Sequence, residues 1–572
     1  MASRLHVNQV GYLIGGPKGA TLVTAASGPV AWRLVDESGT ALAAGTSVPR
    51  GVDVTAGEAV HVIDFSSVRE EGQRLRLEAD GATSPPFAVG GDLFGVLARD
   101  AVRVFTLQRS GVEIDAAIAG EAYARPAGHV DAAPNGGDGA VRPLPAGAAT
   151  TRDGVDLYEG WTGDHTLDGR GGWYDAGDAG KYVVNGGIAV AQLLGICERA
   201  ARLGAPVPQH VLDEARFELD WMLRMQVPAG LPLAGMVHHK LHDEHWTPLP
   251  TLPHLDPQRR FVHRPSTAAT LNLAAVAAQA ARVVGSSDGP YAARLLGAAR
   301  TAYQAAQANP VLLAPDTNVL DNFGGGPYDD VEIDDERYWA AAELYLTTGE
   351  DEYLADLQAN PYHLEGAKAP FVPVGFDWRD VAAWVRMQLA TVRSPLPGRH
   401  RVRAELLDAA DHLLARATAF GHLYTPPDGR YAWGSNGMVA NCAAIVAAAY
   451  DASGERRYRD GALAGLDYLL GRNALGLSYV TGHGETFVRH QHSRWYAGAL
   501  DPSLPDPPSG TLSGGPNSDV PDEVSAPLAG SPAQRCFVDD IGAFGVNEMA
   551  INWNAALAWL TAWAADQGDA TA

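Results

Sequence analysis

Gly171-Gly172-Trp173-Tyr174-Asp175-Ala176-Gly177-Asp178-Ala179-Gly180-Lys181-Tyr182 sets two carboxylates three residues apart, between glycines and aromatic rings. Asp175 and Asp178 share a face if a helix begins here, because residues i and i+3 are neighbours on a helix surface. Glycines let the backbone turn sharply and approach a ligand closely. Two adjacent carboxylates can hold a water between them, with one ionised to accept its proton. Trp173 and Tyr174 offer flat apolar faces of the kind that pack on sugar rings. The same pattern also describes an acidic, glycine-rich turn capping a helix, and the spacing alone leaves both readings open.

Continued to Gly187, the segment reads GGWYDAGDAGKYVVNGG and resembles the signature of glycoside hydrolase family 9, the inverting cellulase family. A second block, Val538-Asp539-Asp540-Ile541-Gly542-Ala543-Phe544-Gly545-Val546-Asn547-Glu548-Met549-Ala550-Ile551-Asn552-Trp553, resembles that family's proton-donor segment. The two blocks stand in the family's order. The resemblance implies that Asp178 is the general base, that Asp175 helps hold the nucleophilic water, and that Glu548 is the general acid. This division agrees with the chemistry. Asp175 and Asp178 are too close in sequence to stand on opposite sides of a sugar ring. Glu548 has Phe544 and Trp553 nearby, an apolar setting that raises a carboxyl pKa and keeps the acid protonated. Alone, Glu548 reads better as a carboxylate at a helix N-terminus; paired with the first block it reads as the acid.

A third block, His490-Gln491-His492-Ser493-Arg494, resembles the family's Pro-His-His-Arg type segment, which implies that His492 and Arg494 bond substrate hydroxyls. Gln491 and Ser493 depart from that pattern. Trp173, Trp378, Trp433 and Trp495 with Tyr496 are candidates for stacking on sugars, although any one of them is more often a core residue. His238-His239-Lys240 resembles a family segment that precedes the Ser266-Thr267-Ala268-Ala269-Thr270 helix start, and a surface loop is its alternative reading. Relatives often carry a Cys-His pair where this chain has Gly128-His129, so a zinc site of that kind is not expected. His483, His490 and His492 lack a zinc spacing. No metal is assigned to the site and no cofactor is required. The acidic run Asp329-Asp330-Val331-Glu332-Ile333-Asp334-Asp335-Glu336 could hold a structural calcium; helix capping and solvation are the simpler reading.

The formal net charge of −24 argues against nucleic acid, whose binding needs a basic patch, and disfavours anionic lipid. No segment reaches the ~20 uninterrupted apolar residues that span a bilayer. Met1-Ala2-Ser3-Arg4-Leu5-His6 lacks the apolar core of a secretory signal. A cytoplasmic location is expected if the chain is complete, and secretion if a leader has been removed. Cys197, Cys442 and Cys536 lie far apart among apolar neighbours and read as buried free thiols rather than a disulfide framework.

Outward from the signature, the 572 residues divide in texture. Residues 1–90 read as a β-sandwich, with strands near 20–24, 30–35 and 59–65 separated by Gly15-Gly16-Pro17, Asp36-Glu37-Ser38-Gly39 and Glu70-Glu71-Gly72. Val7-Asn8-Gln9-Val10-Gly11-Tyr12 resembles the immunoglobulin-like module that precedes many family 9 catalytic domains. Its expected role is to pack against and stabilise residues 91–572. There, alanine-rich periodicity predicts helices near 92–110, 186–203, 210–226, 266–285, 289–308, 334–348, 351–358, 378–394, 401–420, 436–453, 455–471 and 547–566. That tally suits an (α/α)6 barrel, which the resemblance also implies, so the fold class is mostly α behind an immunoglobulin-like sandwich. Long loops over 127–170 and 481–535 adjoin the catalytic blocks, and loops of that length are usually functional or disordered.

The function expected from these readings is inverting hydrolysis of β-1,4-glycosidic bonds in cellulose or cello-oligosaccharides, endo-acting or releasing glucose from chain ends. The alternative is an exo-β-glucosaminidase on chitosan oligosaccharides. A binding protein without activity would lack one of the three carboxylates, and all are present.

Overall fold

The computed structural model describes residues 4–163, 165–320 and 323–568. Residues 1–3 of the N-terminal reading and residue 164 of the first long loop lie outside them. Ten strands form two facing sheets. One has the order β1 (Arg4–His6), β3 (Gly19–Val23), β7 (Glu58–Asp64), β6 (Val48–Asp53). The other has the order β2 (Gly11–Leu13), β10 (Phe87–Gly90), β8 (Gly72–Ala79), β4 (Ala31–Val35), β5 (Ala41–Thr46), with β9 (Ala82–Thr83) on β8. Alternate residues of each strand point inward. Leu22, Trp32, Leu34, Ile63, Leu75, Leu77, Phe87 and Val89 therefore meet in one core between the sheets.

Twelve long helices follow among the described residues: α1 (Gly95–Gln108), α2 (Val183–Arg202), α3 (Gln209–Arg224), α4 (Thr267–Val284), α5 (Gly289–Ala308), α6 (Asp334–Thr348), α7 (Asp351–Ala359), α8 (Ala382–Thr391), α9 (Arg399–Ala415), α10 (Ser435–Ser453), α11 (Arg456–Leu469) and α12 (Ile551–Ala565). Each matches an expected segment. The even-numbered helices pack in a ring: α2 on α4, α4 on α6, α6 on α8, α8 on α10, α10 on α12, and α12 back on α2. The odd-numbered helices lie outside it. Sequence explains the sorting. The ring helices are rich in alanine and buried nearly all round, whereas α3, α9 and α11 bury one face and present charge on the other. α4 is long and apolar enough to cross a membrane, and it is buried in this core.

The sandwich is bonded to the helical unit by polar contacts as well as apolar ones. The Asn8 amide donates to Asp467 Oδ1 at 2.8 Å, and Gln9 Oε1 accepts the backbone N–H groups of Glu485 and Thr486 at 3.0 and 2.8 Å. Leu13, Val23, Ala56 and Val60 join the core that the helices share.

A small four-stranded sheet sits at the start of α2. Its order is β11 (Arg142–Pro143), β14 (Arg260–Val262), β13 (Lys240–Asp243), β12 (Lys181–Tyr182). It brings the first long loop, through β11, against β14. It also overturns the surface-loop reading of the histidine-rich segment, because His238, His239, Lys240, His242 and Asp243 are all buried.

Candidate active site

The signature folds as a turn, not as the first turn of a helix. The Asp175 N–H donates to the Gly180 carbonyl at 2.9 Å, and α2 begins only at Val183. Gly180 is required there, since a Cβ would lie 2.5 Å from Asp178 Oδ2 and 2.3 Å from the Tyr182 hydroxyl. Gly177 is required for a different reason: a Cβ would lie 2.4 Å from the His492 carbonyl oxygen, so the turn and the third block pack backbone to backbone.

Each carboxylate of the turn has its own donors. The Tyr328 hydroxyl donates to Asp175 Oδ2 at 2.5 Å, and the Asn185 amide donates to Oδ1. Asp178 Oδ2 accepts the Gly180 N–H at 3.0 Å and the Tyr182 hydroxyl at 3.2 Å. Burial and the neighbouring Asp178 push Asp175 up to about 7, against the pull of Tyr328 and Asn185.

Glu548 meets the turn from the other end of the chain. The expected helix over 547–566 starts later, at Ile551, so Glu548 is not a helix residue. It follows a four-residue turn of helix, Phe544–Asn547, in extended conformation and bridges His492. Its Oε1 accepts the Gly177 N–H at 3.4 Å. Burial, then the charge of Asp178, pushes its carboxyl up to about 8, with Arg494 opposing. At neutral pH this group therefore carries a proton, and a carboxylate stands close enough to help keep it there.

His492 donates from Nδ1 to the Ile541 carbonyl at 2.7 Å, and burial beside Arg494 lowers it to about 4. It is thus neutral, with Nε2 as an acceptor. Arg494 holds the catalytic turn: Nη1 donates to the Gly177 carbonyl and Nε to the Thr247 carbonyl, each at 2.9 Å.

The aromatic candidates separate into two groups. Trp173 is fully buried against Phe105, ring centroids 4.7 Å apart, and Tyr174 is fully buried with its hydroxyl 2.7 Å from His129 Nδ1. Trp495 packs on Tyr174 in the same core. These three hold the turn from behind and have no face open to a sugar, which corrects the stacking role expected of them. Trp378 is half-buried against Tyr328, ring centroids 5.0 Å apart, and Trp433 is 44% exposed against Phe544 at 5.9 Å. Both remain candidates.

Sequence reading missed Tyr328, Asn185 and Trp246, and took Phe544 only as part of the apolar setting of Glu548. Trp246 is exposed, with the Arg494 guanidinium 5.7 Å over its ring. The signal for Tyr328 was the preceding Gly324-Gly325-Gly326-Pro327, which forces an abrupt turn and leaves Tyr328 at φ 46°. A non-glycine residue held in that region is a common mark of a functional site.

Two other acid groups stand apart from these carboxylates. Asp330 Oδ2, Asp335 Oδ1 and both Glu336 oxygens are buried without a hydrogen-bond partner, and burial raises all three side chains. His129, Asp243 and Asp256 bring one ligand atom each within 4.8 Å of one another, also buried.

Residues 94–561 match the family profile described as Glycosyl hydrolase family 9, and residues 1–84 match the Cellulase N-terminal ig-like domain. The chain belongs to glycosyl hydrolase family 9. It is 53% identical over 99% of its length to Endoglucanase C of Cellulomonas fimi, and spans 52% of that longer protein. It is 39% identical to a cellulose 1,4-beta-cellobiosidase of Acetivibrio thermocellus, over 98% of this chain and 67% of that one. Among solved structures, a metagenome-derived family 9 endoglucanase superposes with a TM-score of 0.82 at 29% identity, covering 98% of this chain and 99% of its own. A single mutant of a thermostable endoglucanase from Alicyclobacillus acidocaldarius gives 0.81 at 29% identity, with 99% and 100% covered. This family 9 chain is a glycoside hydrolase.

Proposed function

We propose that the chain hydrolyses β-1,4-glucosidic bonds of cellulose and cello-oligosaccharides with inversion, on an (α/α)6 barrel whose inner wall is the ring of even-numbered helices. The observation that carries this reading is the contact of Glu548 with Gly177. It joins a protonated carboxyl to the same turn that holds Asp175 and Asp178. Glu548 gives its proton to the glycosidic oxygen as the bond to C1 breaks. Asp178 takes a proton from water as that water attacks C1 from the opposite face, and Asp175 holds the water's second hydrogen. Inverting enzymes keep their acid and base about 6.5–9.5 Å apart, leaving room for the water.

Rings continue in two directions from the carboxylates. Tyr328 and Trp378 lead away from Asp175, and Phe544 and Trp433 lead away from His492 and Glu548. If these rings stack on sugars at either side of the reacting bond, they suit cleavage within a chain. A solved relative at 30% identity is in complex with a cellobiose-like isofagomine, and the relatives named above act on glucans by name. The glucosaminidase alternative finds no support among them.

Among the described residues, ligand atoms converge only at His129, Asp243 and Asp256; a calcium ion held by the oxygens of Asp330, Asp335 and Glu336 would be a separate, structural site. It would neutralise charge at the N-terminus of α6 and takes no part in the chemistry.

A time course on cellohexaose tests the reading. A spread of intermediate lengths at early times is expected. Glucose and cellopentaose alone would mean a groove closed at one end, and no cleavage of cellohexaose would remove the proposed substrate.

A further inference from the structure

Behind the catalytic turn lies a buried ion network that the mechanism above does not use. Arg260, on β14, donates from Nε to Asp138 Oδ1 at 2.6 Å, from Nη1 to Asp243 Oδ1 at 2.5 Å, and from Nη2 to the Ala179 carbonyl at 2.8 Å. Lys181 Nζ donates to Asp138 Oδ2 at 2.7 Å and to the carbonyls of Gly169 and Gly171 at 2.5 and 2.9 Å. All four side chains are inaccessible to solvent or nearly so. Well-packed apolar residues often match or exceed the stability of buried ion groups like these. A geometric purpose accounts for this one.

That purpose is visible in one peptide plane. The Ala179 carbonyl and the Gly180 N–H are the two ends of a single rigid unit. Arg260 grips the carbonyl end. The N–H end donates to Asp178 Oδ2 at 3.0 Å. Fixing the carbonyl fixes the plane, and so fixes where the N–H points. The other donor on that oxygen, the Tyr182 hydroxyl, is itself held by the Gly326 N–H at 2.9 Å.

We propose that Arg260 is a positioning residue for Asp178, acting through the Ala179–Gly180 peptide; this rests on Asp178 being the general base. The titratable and charged groups that face Asp178 are Asp175, Tyr182, Lys240, Tyr328 and Glu548. Those around Arg260 are Asp138, Tyr174, Asp243, Asp256, His129, His242 and Lys181. Arg260 touches no substrate-facing atom in this arrangement. Its loss therefore falls on the rate of the chemical step rather than on binding.

The test is steady-state kinetics of the full chain on cellopentaose across pH, for the wild type, Arg260→Lys, Asp178→Asn and the double variant. Lysine keeps the charge and loses the fork that reaches three acceptors at once. A lowering of kcat by about 10- to 100-fold is expected from a misplaced base, with KM changed by less than about twofold. In the Asp178→Asn background, Arg260→Lys changes the residual kcat by less than about twofold, since the group it positions is gone. If Arg260→Lys does not fold, Arg260→Gln with Asp138→Asn removes one charge of each sign and keeps amide donors in place. A folded variant with wild-type kcat would overturn the proposal, as would a loss that falls on KM alone. So would an equal loss in the presence and absence of Asp178, which marks a role in stability alone. Full turnover by Asp178→Asn would overturn the assignment of the base, a result separable from the others.

Discussion

Two clusters of buried acids differ in what faces them. Asp175, Asp178 and Glu548 are met by a tyrosine hydroxyl each for the two aspartates, by the Asn185 amide and by the Gly177 and Gly180 N–H groups. Asp330, Asp335 and Glu336 face one another, with Glu336 bonded to both aspartates, and leave four oxygens with no donor from any other residue. In the first, dipoles set each carboxyl's orientation and leave its proton free to move, as acid–base chemistry needs. In the second, only a proton or a cation can make up the missing interactions. The partners of a buried acid, more than its burial, separate the cluster proposed to be catalytic from the one proposed to be structural.

The largest effects should come from the first cluster. Asp178→Ala or Glu548→Gln should lower kcat on cellopentaose by about a thousandfold or more, while isothermal titration still detects oligosaccharide binding. Retained turnover in either variant would break the comparison at its root. Tyr328→Phe removes the hydroxyl from Asp175, and with it the 3.4 Å bond that this hydroxyl accepts from the Asn185 amide. It should cost about 10- to 100-fold in kcat with little change in KM, which separates positioning from binding.

The second cluster should respond in stability. If calcium fills it, EDTA should lower Tm by a few degrees and added calcium should restore it, since a ligand at a hundred times its Kd stabilises by about 2.7 kcal/mol. Asp335→Asn should abolish that response. An EDTA effect that survives Asp335→Asn would place the ion elsewhere, with His129, Asp243 and Asp256 the next group to test.

The smallest effect links the two. Glu548 is raised to about 8 in the folded state, so its favourable contribution is present at acid pH and is lost as pH rises through that value. Glu548→Gln carries no such charge. Its Tm, relative to wild type, should rise between pH 5 and pH 9, and a constant difference would mean that Glu548 is not held protonated.

Much of this was legible in sequence because it is local. Glycine spacing around Asp175 and Asp178 marked the segment while leaving turn and helix both open, and alanine periodicity placed the twelve long helices. What was not legible depends on packing across the chain. Trp173, Tyr174 and Trp495 looked like sugar platforms, but an aromatic ring beside a catalytic residue is as useful behind the turn as in front of it. Tyr328 is 153 residues from the Asp175 it bonds. Nothing in its own neighbourhood, beyond the glycine run, pointed there. Glu548 was identified, yet its extended backbone was not, since the pattern of α12 runs smoothly through Asn547 and hides the later start at Ile551.

The most direct test of an acid and a base on opposite faces of the sugar is the anomer formed at the new reducing end. Proton NMR of cellopentaose in the first minutes of hydrolysis, before mutarotation, should show the α-anomer accumulating first. The β-anomer appearing first would mean attack by a protein carboxylate and a second displacement, and would contradict the roles given to Asp178 and Glu548.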